Sequence, residues 1–207
     1  MRRSVERLAW IGGLVAIGIW AVAGLTRTAT TRAILDQFAT VRAASGQLTE
    51  RGTPDQSLWS PVRVKAWTAT LARPLPKPLA VLRIDRLKLE VPVLEGTDDW
   101  TLDRAVGHID ETAKPGEDGN TGIAGHRDSF FRVLKDIQAG DAIELETLRG
   151  TESYRVERVW IVSPDDVSVL DPTPVRSITL VTCYPFYFVG SAPQRYIVRA
   201  VRYDGRK

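Results

Sequence analysis

One cysteine, two histidines and an arginine twelve residues beyond the cysteine are the groups in this 207-residue chain whose types and spacing could do nucleophilic chemistry. Cys183 closes the run Ser177 to Cys183, in which a period of two puts Ile178 and Leu180 on one face and Thr179, Val181 and Cys183 on the other. Pro185 then stops regular pairing, so the thiol is delivered to a sheet edge, a position suited to chemistry as well as to packing. A lone cysteine also serves as a small core residue, and its partners must decide between the two. His126, in IAGHRD, follows a predicted strand, Asn120 to Gly125. If that strand lies parallel and adjacent to the cysteine strand, both side chains emerge at one edge; the plainer reading is an exposed loop histidine. Gly125 lets the backbone bend before it. His108, in VGHI, sits beside Gly107 near a turn and reads as a rim or structural residue. Arg195 opens the RYIVRAV strand, and an antiparallel return would make it a neighbour of Cys183. There a guanidinium either forms a salt bridge or stabilises a thiolate or a developing oxyanion.

Amide cleavage requires a nucleophile, a proton for the leaving amine and stabilisation of the tetrahedral oxyanion. Cys183, His126 and Arg195 can supply these in that order. A free thiol titrates near about 8.5 and histidine near about 6.5, so an uncoupled pair rests as thiol and neutral imidazole at pH 7, whereas strong pairing lowers the cysteine's value.

The elements that must position these groups are mostly short strands separated by turn signals, which argues for an all-β barrel or sandwich. Leu79 to Ile84, Leu89 to Leu94, Asn120 to Gly125, Ala142 to Thr147, Ser153 to Val162, Ser177 to Cys183 and Tyr196 to Tyr203 read as strands, with a brief helical patch at Trp100 to Ala105. Ahead of them, Ile34, Leu35, Phe38 and Val41 within Thr28 to Gln47 predict a short amphipathic helix, and Gly46 to Trp67 is irregular. The RPLPKP run with Pro74, Pro76 and Pro78 makes a stiff lead-in to the folded domain. The chain contains no internal repeat, phosphate-binding glycine loop or nucleic-acid motif.

A net charge of +3 from 28 basic and 25 acidic residues is nearly balanced and makes no electrostatic case for nucleic acid. One cysteine excludes an internal disulfide framework, a CxxC redox pair and a multi-thiolate zinc site. Leu8 to Leu25 carries no charge and follows Arg2, Arg3 and Arg7. Its eighteen residues would rise about 27 Å as a helix, close to the hydrocarbon thickness of a bilayer. It reads as a membrane anchor with a cytoplasmic N-terminus; the competing reading is a signal peptide cut after Ala21, Val22 and Ala23. Both put the remainder outside the cytoplasm.

The segments TLVTC at 179–183, AGHRD at 124–128 and APQRYIV at 192–198 resemble the three signature segments of the sortases, in order and spacing. These are membrane-anchored cysteine transpeptidases of bacteria. The GHI around His108, the HRDSFF run and the PFYFVGSAPQRY loop are most similar to the class D branch. The resemblance covers Pro78 to the C-terminus and implies a closed eight-stranded β-barrel with Cys183, His126 and Arg195 as its catalytic groups. It implies a backbone oxyanion donor at Thr182 and a signal-binding groove shaped by Ser163 to Arg176. Val167, Val169 and Leu170 are apolar candidates for that groove's wall, with a plug of the barrel end as the alternative. Some sortases bind calcium near this region, but Asp165 and Asp166 read as a solvated loop pair, and neither metal nor cofactor is expected.

The implied reaction cleaves an LPxTG-like C-terminal sorting signal, holds the acyl group as a thioacyl on Cys183 and transfers it to an amine. The implied partners are surface proteins or pilins, with a peptidoglycan precursor or a pilin lysine as acceptor. The expected organisation is a tail and anchor over 1–25, a stalk with its amphipathic helix over 26–77 and a catalytic barrel over 78–207, facing outward from the bacterial cytoplasmic membrane on a single span. A cysteine peptidase that lets water finish the reaction, and a noncatalytic extracytoplasmic β-domain, are the rival readings.

Overall fold

The computed structural model describes residues 54–187 and 190–204. The Leu8 to Leu25 segment and the Thr28 to Gln47 helix fall outside the described residues. Among the described residues no helix is long and apolar enough to cross a membrane.

The strands are β1 (Ala80–Ile84), β2 (Leu89–Glu95), β3 (Val106–His108), β4 (Asn120–Ala124), β5 (Ala142–Thr147), β6 (Gly150–Val162), β7 (Ser177–Tyr184) and β8 (Gln194–Arg202). They close into a barrel, rather than a sandwich, in the order β1-β2-β3-β4-β7-β8-β6-β5, with β5 pairing back on β1. Alternation drives closure. In β5, Ile143, Leu145 and Thr147 are buried while Glu144 and Glu146 between them are not. Arg83 on β1 takes up that outer row, pairing with Glu146 on β5 and Glu90 on β2. Inside, Leu82, Ile84, Val91, Val93, Ile123, Ile143, Leu145, Ile178, Leu180 and Val198 form a continuous apolar core. The seven predicted strands are all present, with ends shifted by up to three residues. The short β3 was not anticipated: three residues, one of them Gly107, carry no readable period.

A second departure lies ahead of the barrel. Residues read as irregular contain α1 (Pro61–Thr70), whose Ser60 cap accepts a hydrogen bond from the Arg63 N–H and whose Pro61 occupies the first turn. Trp67 on α1 is buried within the barrel's own core cluster. Its ring meets Trp59 edge-on at 6.4 Å, and Trp59 meets Phe130 at 4.7 Å. A short helix, α2 (Asp99–Arg104), is capped by Asp98 and sets the Arg104 guanidinium 5.4 Å from the Trp67 ring centre. The segment ahead of the barrel therefore contains a helix built into the domain.

Trp67→Ala should cost about 3–5 kcal/mol of unfolding free energy in urea titration, the range for truncating a buried aromatic. A midpoint unchanged from the parent would mean that α1 only rests on the barrel.

Candidate active site

The site is built around β7. Ile178 and Leu180 point into the core, which turns Thr179, Val181 and Cys183 to the outer face. On one side β8 runs antiparallel, with Cys183 directly opposite Arg195, Val181 opposite Ile197 and Thr179 opposite Arg199. Directly opposed residues share a face, so the thiol and the Arg195 guanidinium project side by side. On the other side β4 runs parallel, with Ala124 paired to Val181. Beyond that pair, the Gly125 N–H donates to the Val181 carbonyl at 3.1 Å. The Thr182 hydroxyl donates to the Gly125 carbonyl at 2.7 Å. Two residues further along this register, His126 is level with Cys183. One sheet edge thus carries the three sequence-predicted groups.

Gly125 matters for a different reason from the bend expected of it. It is absent from the glycines with positive φ, but a Cβ there would lie 2.6 Å from a Phe131 ring carbon. The missing side chain lets Phe131 seal the core directly beneath the histidine.

Asn120 pins the register. It is 1% exposed; its amide oxygen accepts from Thr179 Oγ1 at 2.7 Å and Ser177 Oγ at 3.2 Å on β7. Its Nδ2 donates to the carbonyls of Val169 (3.3 Å) and Asp171 (3.2 Å). The Val169 carbonyl also accepts from Arg199 Nη2 at 2.6 Å. These bonds lay the turn Val167–Leu170 over the outer face. Within it, Val169 is buried and Leu170 reaches the surface of Gly122, where an added Cβ would sit 3.1 Å from Leu170 Cδ2. Val167 is 68% exposed. Val169 is therefore covered beneath the turn while Val167 is open to solvent.

His108 is apart from this edge. It is 2% exposed, with Nδ1 3.3 Å from Glu95 Oε1 and Nε2 3.1 Å from both the Ala113 carbonyl and Thr112 Oγ1. It braces the connection between β3 and β4 as a structural residue and is not at a rim. Glu95, His108 and Asp110 hold potential metal-ligand atoms within 4.8 Å of one another. Both His108 nitrogens already have neighbours, and Lys114 Nζ lies 3.8 Å from Glu95.

His126 has charged surroundings that the sequence did not disclose. Arg63 of α1 donates from Nη1 to Asp103 at 2.7 Å and from Nε to Asp128 at 3.0 Å. Ser60 Oγ donates to Asp128 at 2.9 Å. Burial opposes ionisation of Asp128, but the Ser60 and Arg63 bonds outweigh it and hold the carboxyl below its usual range. For His126, burial and then the Arg63 charge push the imidazole below its ordinary value, while Asp103, Asp128 and Asp99 pull it back. The side chain is 17% exposed. The loop after β7 is tied to the same corner: Arg127 donates to the carbonyls of Pro185 at 3.1 Å and Gly190 at 2.9 Å, and Arg132 donates to that of Phe186. Arg195 Nη1 donates to the Gln194 carbonyl at 3.1 Å, and the guanidinium has further donors for the edge. Asp128 and Arg127 adjoin His126 in the chain and were legible as charged neighbours; Arg63 and Asp103 gave no signal.

A closed barrel that seats a cysteine, a histidine and an arginine along one sheet edge has the layout of a thiol-dependent acyl-transfer site. The sortase domain family model matches residues 82–203, and the chain belongs to the sortase family. It is 37% identical over 123 residues to the sortase D of Bacillus subtilis, covering 59% of this chain and 62% of that protein. Against sortase SrtE1 of Streptomyces coelicolor it is 39% identical over 125 residues, covering 51% of this chain and 36% of that one. The chain thus spans less than two thirds of either relative. A solved structure of a Clostridium perfringens sortase D5 transpeptidase superposes with a TM-score of 0.56 at 29% identity, over 68% of this chain and 88% of that one.

The His126 ring should titrate below the ordinary histidine value of 6.5 in an NMR pH series. Because its folded pKa is depressed, its contribution to stability is present above the unfolded value and is lost as pH falls through the folded one. A midpoint at or above 6.5 would contradict the burial and Arg63 effects.

Proposed function

We propose that the chain is a sortase-type cysteine transpeptidase that cleaves an LPxTG-like signal and passes the acyl group to an amine. The observation that supports this most directly is the register of β7, which sets Cys183 opposite Arg195 and level with His126. Cys183 Sγ, its proton taken up by His126, attacks the scissile carbonyl carbon and forms a C–S bond. Arg195 and a backbone N–H at Thr182 stabilise the oxyanion. As the C–N bond breaks, His126 returns its proton to the leaving amine. The incoming amine then attacks the thioacyl carbon, gives up a proton to His126 and releases Cys183, so the cycle is proton-neutral.

The apolar Val181 on the outer face of β7 and the exposed Val167 on the turn above it suit an extended peptide. Surface proteins or pilins are the donors in this reading, with a peptidoglycan precursor or a pilin lysine as acceptor. The uncharged Leu8 to Leu25 run supports a single-pass anchor, with the barrel outside the bacterial cytoplasmic membrane. Within the organisation of 1–25, 26–77 and 78–207, the middle part carries α1 and ends against the barrel.

Incubation with an LPxTG peptide and excess primary amine should give the amide product and an acyl adduct on Cys183 visible by intact mass. Free acid alone at high amine would make the chain a peptidase, and an active Cys183→Ala variant would remove the catalytic reading. His126→Ala should abolish turnover while His108→Ala lowers it mainly through stability. Arg195→Lys should lose about 10²–10³-fold, because a point charge does not replace the guanidinium fork; near-normal turnover would leave Arg195 a structural role.

A further inference from the structure

One edge of the His126 imidazole has an unusual environment. His126 Nε2 is buried and has no hydrogen-bond partner among the described residues. It lies 3.5 Å from Asp103 Oδ1, too far for a good hydrogen bond. The same oxygen accepts from Arg63 Nη1 at 2.7 Å. Two cationic donors, one permanent and one conditional, therefore face a single carboxylate oxygen.

We propose that Asp103 is the positioning residue for His126, and that Arg63, carried by the helix ahead of the barrel, governs it by competing for that oxygen. This rests on His126 being the proton carrier of the proposed reaction. While the imidazole is neutral, Arg63 holds Oδ1 and the ring is restrained only by packing. Once His126 takes the thiol proton, both ring nitrogens are donors. The tautomer that accepts the thiol proton at Nδ1 already carries Nε2–H, and protonation gives that donor a positive charge, so that Asp103 is drawn from 3.5 Å to the usual ~2.8 Å of a charge-assisted bond. Arg63 retains Asp128 through Nε meanwhile, so α1 stays docked as the oxygen is shared.

The charges facing His126 are Arg63 from α1, Asp99 and Asp103 from α2, Asp128 and Arg127 beside it in its own loop, and Cys183 and Arg195 at the ends of β7 and β8. Of these, only Asp103 and Arg63 meet at one atom next to Nε2. Through-space charge alone would let each substitution act independently. Competition for an oxygen makes them depend on each other.

The test uses the full chain with labelled histidine and needs no substrate. Asp103→Asn should lower the His126 midpoint. Arg63→Gln should raise it, and by clearly more when Asp103 is present than in the Asp103→Asn background. In the peptide assay, Asp103→Asn should reduce kcat by roughly tenfold to a hundredfold with KM for the peptide little changed. The acid limb of the kcat/KM profile should follow the titration in each variant. Arg63→Lys, which keeps the charge and spares α1, is the check if Arg63→Gln unfolds. It should give a midpoint between parent and Arg63→Gln, since a single ammonium cannot hold Asp103 and Asp128 together as the fork does. Equal shifts from Arg63→Gln in both backgrounds, or an unmoved midpoint in Asp103→Asn, would overturn the competition. Full turnover by His126→Ala would instead overturn the proposed function and leave the titration result standing.

Discussion

Everything at this site depends on the register of one strand. β7 lies between a parallel neighbour and an antiparallel one, and only its odd-numbered side chains face outward. A slip of one residue would turn Cys183 into the core and bring Thr182 and Tyr184 out. Two kinds of force oppose that slip. Ile178 and Leu180 would leave the core, and the buried Asn120 amide would lose its matched partners on Ser177 and Thr179. The two act together: exposing two core side chains costs about 1.5–3 kcal/mol each and an unpaired buried amide about 1–3 kcal/mol. Asn120 also holds the Val167–Leu170 turn through its other amide atom, so the nucleophile's register and the turn over the outer face are set by one side chain.

A second layer governs charge. The barrel strands carry the groups that would meet substrate, but the groups that tune His126 sit on α1, α2 and the loop after β4. Arg63 links all three, and with Ser60 it binds Asp128 firmly enough to keep that carboxyl ionised against its burial. The α1 helix is held independently by Trp67 in the core, with Trp59 just before the helix packed against it. The packing of a helix outside the barrel and the electrostatics of the imidazole are consequently joined, and neither can be assigned to the barrel alone.

How much of this was legible in the sequence followed from the range of the forces involved. Strands such as β5 and β7 announce themselves, because alternation is a local consequence of having a core on one side. The pairing of Cys183 with Arg195 was readable because a single connection separates their strands, and the three signature segments carried the family and the closed barrel. β3 was missed because three residues around Gly107 are too few to show a period. In α1 the apolar Val62, Val64 and Trp67 do not fall on one stripe; Ser60 followed by Pro61 was the usable signal, a cap and a first-turn proline. Arg63 and Asp103 could not have been paired by eye. They are forty residues apart, on elements whose approach is decided by aromatic packing. Asn120 looked like an ordinary strand-end residue, since nothing local shows that its amide spans two segments.

The arginines that tie the loop after β7 hold it chiefly by its backbone, with one side-chain contact, the Arg132 guanidinium 4.2 Å from the centre of the Tyr187 ring. Arg127 grips the carbonyls of Pro185 and Gly190, and Arg132 grips that of Phe186. A main-chain carbonyl is present whatever residue bears it. Side chains of the loop other than Tyr187 can therefore change while those carbonyls keep it tied beside the histidine corner. Such a tether separates what can diversify from what must stay in place.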